Sequence, residues 1–406
     1  MSLDLIQTVA FAGVALFLGY FLKRQLPVLA RYNIPAPVVG GLPLAALFAF
    51  VNRGTPPLIA FDIALQVPLQ NAFFASVGFG ASVRVLARGG PLVLVMMIIA
   101  SIAAGLQNAV GAGVAWLLGE HPLLGVLAGS VTLTGGPATG IAFAPLFEKA
   151  GIAGAETLAV SAAMGGIVAG GLMGGPIATF LLGRHPTVVP ARAASGTLEA
   201  LAERQMADPT PATPVGEDAE AYSLLKHLVV LLVAVGAGVW VSAGLESIGW
   251  RLPAYIGAMI VAAVIRNVDD AVGAIRISQR TIDDLGTVAL SLFLVMALMT
   301  LRLWQLAGAV LPLLVILAAQ VVLVALLCVF VVPRVTGRDY DAVVMSSGFC
   351  GFMLGTTANA VANMGALVER YGPAPKAYLV VPLVGAFGID FVNALLITGI
   401  LNFWGV

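Results

Sequence analysis

Charge is scarce in this chain. Only 10% of its 406 residues are Asp, Glu, Lys or Arg, and 60% are hydrophobic; a soluble domain carries about 25% charged residues. The shortage excludes an ordinary soluble domain, and a formal net charge of zero gives no basis for a nucleic-acid partner. Cysteine and histidine are scarcer still. Cys328 and Cys350 both lie in apolar runs, where buried thiols read as packing residues rather than as a disulfide or metal site. His121, His185 and His227 stand apart, without the close spacing of a zinc motif. The apolar runs hold one interior acid, Asp390, and no interior histidine. An intramembrane hydrolase needs a nucleophile–base pair or metal-binding carboxylates, so no enzymatic activity is expected. Residues 1–4 lack the positive region of a cleaved signal peptide, and the first apolar run reads as a retained span.

What the chain has instead is apolar runs along nearly its whole length, several longer than the roughly 18 residues that mark a spanning helix. The alternating pattern of a membrane β-barrel is absent. The expected fold is all-α and polytopic. Spans are expected at 5–22, 35–51, 67–86, 92–118 and 158–182, and again at 224–245, 253–265, 287–303, 307–332 and 377–401. A polar, proline-rich stretch, 184–223, separates the two sets and reads as a mobile linker in which 196–206 has the makings of a short surface helix. The halves, 1–183 and 224–406, resemble each other weakly. Ile34-Pro35-Ala36 matches Leu252-Pro253-Ala254, Gln107 matches Gln320, and Phe147-Glu148-Lys149 matches Val368-Glu369-Arg370. Such a shift suggests an internal repeat.

Two further apolar segments, 123–149 and 342–370, are interrupted by glycine and hydroxyl residues. Lys and Arg positions decide how to read them. If both are re-entrant hairpins, each half has five spans, the N- and C-termini lie outside, and the linker is cytoplasmic. Only Arg53, Lys149, Arg251 and Arg302 of the 20 basic residues then fall outside. If both cross the membrane, the basic residues divide evenly and the bias vanishes. The asymmetry selects hairpins, and five spans per half force the second half to insert upside down, as in secondary transporters. The arm from Leu123 to Thr134 is about 18 Å of helix at 1.5 Å per residue, short of a hydrocarbon core about 30 Å thick. The two tips are therefore expected to meet near the midplane, one reached from each side.

Irregular backbone at that depth lines a cavity or is buried in protein. At the first tip Gly135 and Gly136 permit a tight turn, Pro137 suits a helix start, and Thr134 is positioned as its cap. Gly355, Thr356 and Thr357 form the second tip, and Asn359 and Asn363 share a face of its return arm. No Lys or Arg lies in the interior of a span, so a small anionic substrate would be held mostly by backbone N–H groups, hydroxyls and amides. The candidates are Thr134, Gly135, Gly136, Thr139, Gly355, Thr356, Thr357 and Asn359. A bound sodium ion would offset the cost of burying Asp390. Its candidate ligands are Asp390, Asn393, Asn363, Gln107, Asn108 and Ser130, each of these alone also fit for a helix–helix hydrogen bond. Exchange of cations for protons through Asp390, with no organic solute, is the alternative. Gly166, Gly170 and Gly174 form a small-residue face for close packing, with the first hairpin as its expected partner.

Six stretches carry a resemblance: IPAPVVGGL (34–42), LQNAVGAG (106–113), LAGSVTLTGGPATG (127–140), ALSLFLVMALM (289–299), GFMLGTTANAVANM (351–364) and VVPLVGAFGIDFVNAL (380–395). Together they resemble the bacterial sodium/glutamate symporters over nearly the whole chain. The resemblance implies ten spans plus two re-entrant hairpins, a homodimer in the bacterial inner membrane, Na+ as coupling ion, glutamate as substrate and an elevator-like movement. The chain departs from that family at the tips. The family's usual GGHGT is Gly135-Gly136-Pro137-Ala138-Thr139 here, and Ala358 stands where its second motif, GATPTAIANM, has proline.

Overall fold

A computed structural model describes residues 2–51, 59–88, 90–184, 218–247, 253–306 and 308–404. Most of 184–223, including 196–206, lies outside them. Among the described residues the fold is all-α apart from one short parallel strand pair. In it β1 (Ser2–Leu3) lies beside β2 (Ala60–Phe61) and ties the chain's start to the segment after the second span. Among the described residues seven helices are long and apolar enough to cross a membrane: α1 (Leu5–Gln25), α6 (Gly90–Leu117), α9 (Ala155–Arg184), α10 (Ala219–Ser247), α12 (Gln279–Met299), α13 (Val310–Thr336) and α16 (Pro375–Phe403). The protein is thus a multi-pass helical membrane protein. Helices also cover the other three expected spans: α3 (Ala36–Val51), α4 (Gln66–Gly80) and α11 (Ala254–Val272). The short helices α2 (Pro27–Arg31) and α5 (Val83–Arg88) complete this set.

Several boundaries differ from the apolar runs, and capping accounts for them. The third expected span does not continue to residue 86. Its helix stops at Gly80, and Ser82 restarts the chain by accepting the Val85 N–H at 3.1 Å. The linker ends earlier than its polarity suggests. Asp218 accepts the N–H groups of Glu220 and Ala221 at 2.9 and 3.0 Å, so the polar residues 219–223 become the first turn of α10. Helix α11 runs past its apolar stretch to Val272. Beyond its end Asp269 accepts three backbone N–H groups, from Ile275, Arg276 and Ile277, at 2.7 to 3.1 Å.

The interrupted segments are each a pair of short helices. The first is α7 (Pro122–Val131) and α8 (Gly136–Lys149); the second is α14 (Tyr340–Leu354) and α15 (Thr357–Tyr371). With at most 15 residues, an arm is about 22 Å long and falls short of the hydrocarbon thickness.

The helices divide into two groups, each drawing on both halves of the chain. Helices α1, α3, α4, α10, α11 and α12 pack mainly on one another. Backbones there approach closely enough that a Cβ on Gly78 would lie 2.3 Å from the Met259 carbonyl oxygen. The second group is α6, α9, α13, α16 and both hairpins, and its largest core cluster runs from Met96 through Phe349 and Phe352 to Val384. Helix α16, against α4, and return arm α8 both bridge the groups. Phe143 of α8 meets the Tyr255 ring edge-on at 5.5 Å, and Tyr255 stacks on Phe74 at 4.4 Å.

The glycine face of α9 packs chiefly on the second hairpin, not the first. A Cβ on Gly166 would sit 2.3 Å from the Leu354 carbonyl oxygen and 2.4 Å from Leu133. One on Gly174 would sit 2.3 Å from the Asn363 amide nitrogen. The second hairpin brings polar amides that seek backbone carbonyls, and only a helix without side chains exposes them. Gly166→Val is therefore expected to lower stability by about 1–3 kcal/mol, the usual cost of overpacking. Gly175→Ala, where a Cβ meets nothing within 4 Å, is expected to leave it unchanged. Thermal unfolding of the two purified variants in detergent checks this.

Candidate functional site

The two tips meet. Gly136 begins α8 with φ +68, a left-handed conformation suited to glycine, and a Cβ there would lie 3.8 Å from the Gly355 carbonyl oxygen. Thr139 folds back over Gly135, so that a Cβ on Gly135 would collide with it at 2.6 Å. Both glycines are thus required by geometry, one for its backbone angle and one for lack of space.

Thr134 does not cap α8. The residue before that helix is Gly135, in right-handed helical geometry and with no side-chain cap bond. The Thr134 hydroxyl instead donates to Gln107 Oε1 at 2.6 Å, with Met353 Sδ 3.8 Å away. Gln107 Nε2 donates to the Met353 carbonyl at 2.8 Å, and Gln320 Nε2 donates to the Gln107 carbonyl at 2.7 Å. One buried amide on α6 therefore holds the first tip by its oxygen and the second hairpin by its nitrogen. Charge and apolar periodicity gave no sign of this clamp. The signal available was a glutamine in a largely apolar span, matched by Gln320 in the second half.

At the second tip Thr356 caps α15 through a long 3.4 Å bond from the Asn359 N–H. Thr357 donates to the Gly385 carbonyl at 2.6 Å. Gly385 sits in the wide π-turn Val384–Gly388 of α16, where the ordinary helical partner is displaced. Asn359 Nδ2 donates to Ile167 O at 2.7 Å and Asn363 Nδ2 to Gly170 O at 2.9 Å, both on α9. Asn359 Oδ1 has no partner among the described residues.

The expected sodium ligands fall in four places. Gln107 is the clamp. Asn363 faces α9. Asn108, Ser130 and Asn393 come together on three helices: the Ser130 N–H donates to Asn108 Oδ1 at 3.1 Å, and Asn393 Nδ2 donates to Ser130 O at 2.8 Å. Asp390 is half-buried on α16, three residues from Asn393, with no hydrogen bond or ion pair among the described residues.

Two helix starts thus converge on one point, those of α8 and α15. Their first-turn N–H groups and positive dipole ends favour an anion there. Gly135, Thr356 and Thr357 are partly accessible and Ala358 is exposed. A cavity of about 970 Å³ lies elsewhere, between α4, α5, α11, α12 and α16. Its wall includes Arg84, Arg266, Asp270 and Arg276, which the motif reading did not single out. Arg266 is paired with Asp270 at 3.1 Å. Ala386, next to the carbonyl that holds Thr357, also lines it.

Gln107→Leu keeps the volume but strands the Thr134 hydroxyl and the Met353 carbonyl. The expected loss is about 1–3 kcal/mol for each buried group left unpaired, read as a lower unfolding temperature. Thr134→Val is expected to cost much less in that background than alone, because the two residues share one bond.

The sodium/glutamate symporter family profile matches residues 1–373. The chain is 40% identical over 397 residues to the sodium/glutamate symporter of Escherichia coli strain K12, covering 97% of this chain and 96% of that protein. It is 38% identical over 392 residues to the sodium/glutamate symporter of Haemophilus influenzae, covering 96% and 95%. With tip glycines, clamp and helix packing in place along a chain matched almost end to end, this protein belongs to the sodium/glutamate symporter family.

Proposed function

We propose that this protein couples the inward movement of Na+ to uptake of glutamate or a related small carboxylate. The observation that carries the reading is the meeting of two helix starts at the hairpin tips. They offer an anion backbone N–H groups and dipole ends in a region with no Lys or Arg. The family's relatives, named for sodium and glutamate, supply the ion and the substrate class. Thr356, Thr139 and the backbone around Gly135, Gly136 and Gly355 hold the carboxylates. Cation–proton exchange through Asp390 alone would leave both tips without a role, so symport is preferred.

The proposal includes the membrane arrangement. Residues 1–183 and 224–406 form inverted repeats in the bacterial inner membrane, with termini outside and the linker cytoplasmic. The charge asymmetry supports this. The group containing both hairpins moves as a unit against the other six spans, elevator-like, within a homodimer. The mixed origin of the two groups supports the division, and the cavity beside Arg84 and Ala386 suits an aqueous path toward the second tip.

In proteoliposomes an inward Na+ gradient is expected to drive uptake of labelled glutamate or a related dicarboxylate; no sodium-driven uptake of either would sink the reading. Gly136→Ala puts a side chain on a left-handed backbone, at a cost of roughly 1–2 kcal/mol, and is expected to reduce uptake about tenfold or more. Pro137 removes one N–H from the start of α8. The double substitution Pro137→His with Ala138→Gly is expected to shift preference among dicarboxylates, read by competition against labelled substrate.

A further inference from the structure

We infer that Ser130, Asn393 and Asn108 form the binding site for the coupling cation, and that this site signals to the substrate tip through the Ser130 carbonyl. The inference rests on the symport reading above and locates its ion.

The site is created by a break. Gly129 leaves helical geometry inside the first arm (φ −98, ψ −129). Just past the break, both backbone groups of Ser130 meet side chains of two other helices. Its N–H goes to Asn108 Oδ1 on α6, and its carbonyl receives Asn393 Nδ2 from α16. Ser130 and Asn393 are fully buried and Asn108 is 3% exposed. These bonds fix both amides, so their oxygens and nitrogens are not interchangeable. What remains is unsatisfied: Ser130 Oγ, Asn393 Oδ1 and Asn108 Nδ2 have no partner.

Buried polar atoms in a folded protein are normally paired, so three unpaired ones around a single residue mark a missing occupant. Two of the three are oxygens, on residues already joined through Asn393 Nδ2 and the Ser130 carbonyl at 2.8 Å. Among the described residues no three of His, Cys, Asp and Glu gather to hold a metal. The donors are neutral, which suits a monovalent cation; a divalent one requires carboxylate charge. Asn108 Nδ2 is a donor and faces a coordinating water, not the ion. Asp390, the one carboxylate of α16, lies three residues from Asn393 on the same helix.

The same Ser130 carbonyl accepts the N–H of Gly135, in the first tip, at 3.0 Å. An ion held by Ser130 Oγ and Asn393 Oδ1 fixes this residue, and with it the backbone presented to the anion. Ion and substrate then strengthen each other's binding reciprocally.

The test is a titration of the full-length protein with NaCl in a choline background at constant ionic strength. Na+ half-saturation is read by thermal stabilisation without substrate and by initial uptake rate in proteoliposomes. Ser130→Ala and Asn393→Ala are expected to raise it at least tenfold in each readout the wild type shows. Ser130→Thr, which keeps the oxygen, is expected to restore part of the affinity. Ser347→Ala, a buried hydroxyl bonded to Gly174 O on the second hairpin, is expected to titrate like the wild type. If wild-type uptake is Na+-driven while Ser130→Ala and Asn393→Ala keep wild-type half-saturation, the occupant is a water and this inference is overturned, with the symport reading intact. A wild type without sodium-driven uptake overturns both.

Discussion

The Gln107 side-chain amide is the contact on which the arrangement of the tips depends. An amide offers an acceptor and a donor in fixed opposition. Here the acceptor takes the Thr134 hydroxyl and the donor takes the Met353 carbonyl. An apolar residue in its place could pair with neither group. A buried polar group left unmatched is costly in a low-dielectric interior. Gln320 stabilises the clamp from behind by bonding the carbonyl of Gln107 itself. Both glutamines are fully buried, and the chain is matched to the polar atoms of the tips one bond at a time.

Each hairpin is also held by a helix from the other half of the chain, with the chemistry reversed. On the second hairpin the asparagines belong to the return arm, and α9 supplies bare carbonyls at Ile167 and Gly170. On the first, the carbonyl belongs to the broken arm at Ser130, and α16 supplies the asparagine, Asn393. The two solutions differ in what they leave over. On the second hairpin Asn359 Oδ1 is left without a partner among the described residues; on the first, Ser130 Oγ and Asn393 Oδ1 both are.

Much of the fold was legible because membrane burial writes itself into composition. Apolar runs located all the long helices, and glycine-rich breaks located both hairpins. The errors came where short-range hydrogen bonding overrides apolarity. Asp218 recruits polar residues into α10, and Ser82 ends one helix and begins another. At the site, Gly135, Gly136 and Gly355 were recognisable since tight turns demand glycine. The task of Thr134 was not. A threonine beside a helix start reads as a cap, and only a glutamine 27 positions earlier in the chain diverts its hydroxyl elsewhere.

The sequence by itself determined the class of protein, the positions of the long apolar helices and of the two breaks, and the absence of Lys and Arg from the middle of the apolar runs. Those are properties of local composition and spacing, which the bilayer reads residue by residue. Tertiary structure alone decided which polar side chains are spent on holding the tips and which are left with unpaired atoms. Gln107 and Asn108 are adjacent in sequence, yet one clamps both hairpins and the other faces the break at Gly129. The physical reason is that a buried amide is defined by its partners. In this protein those partners come from the other hairpin, the other half or the far end of the chain.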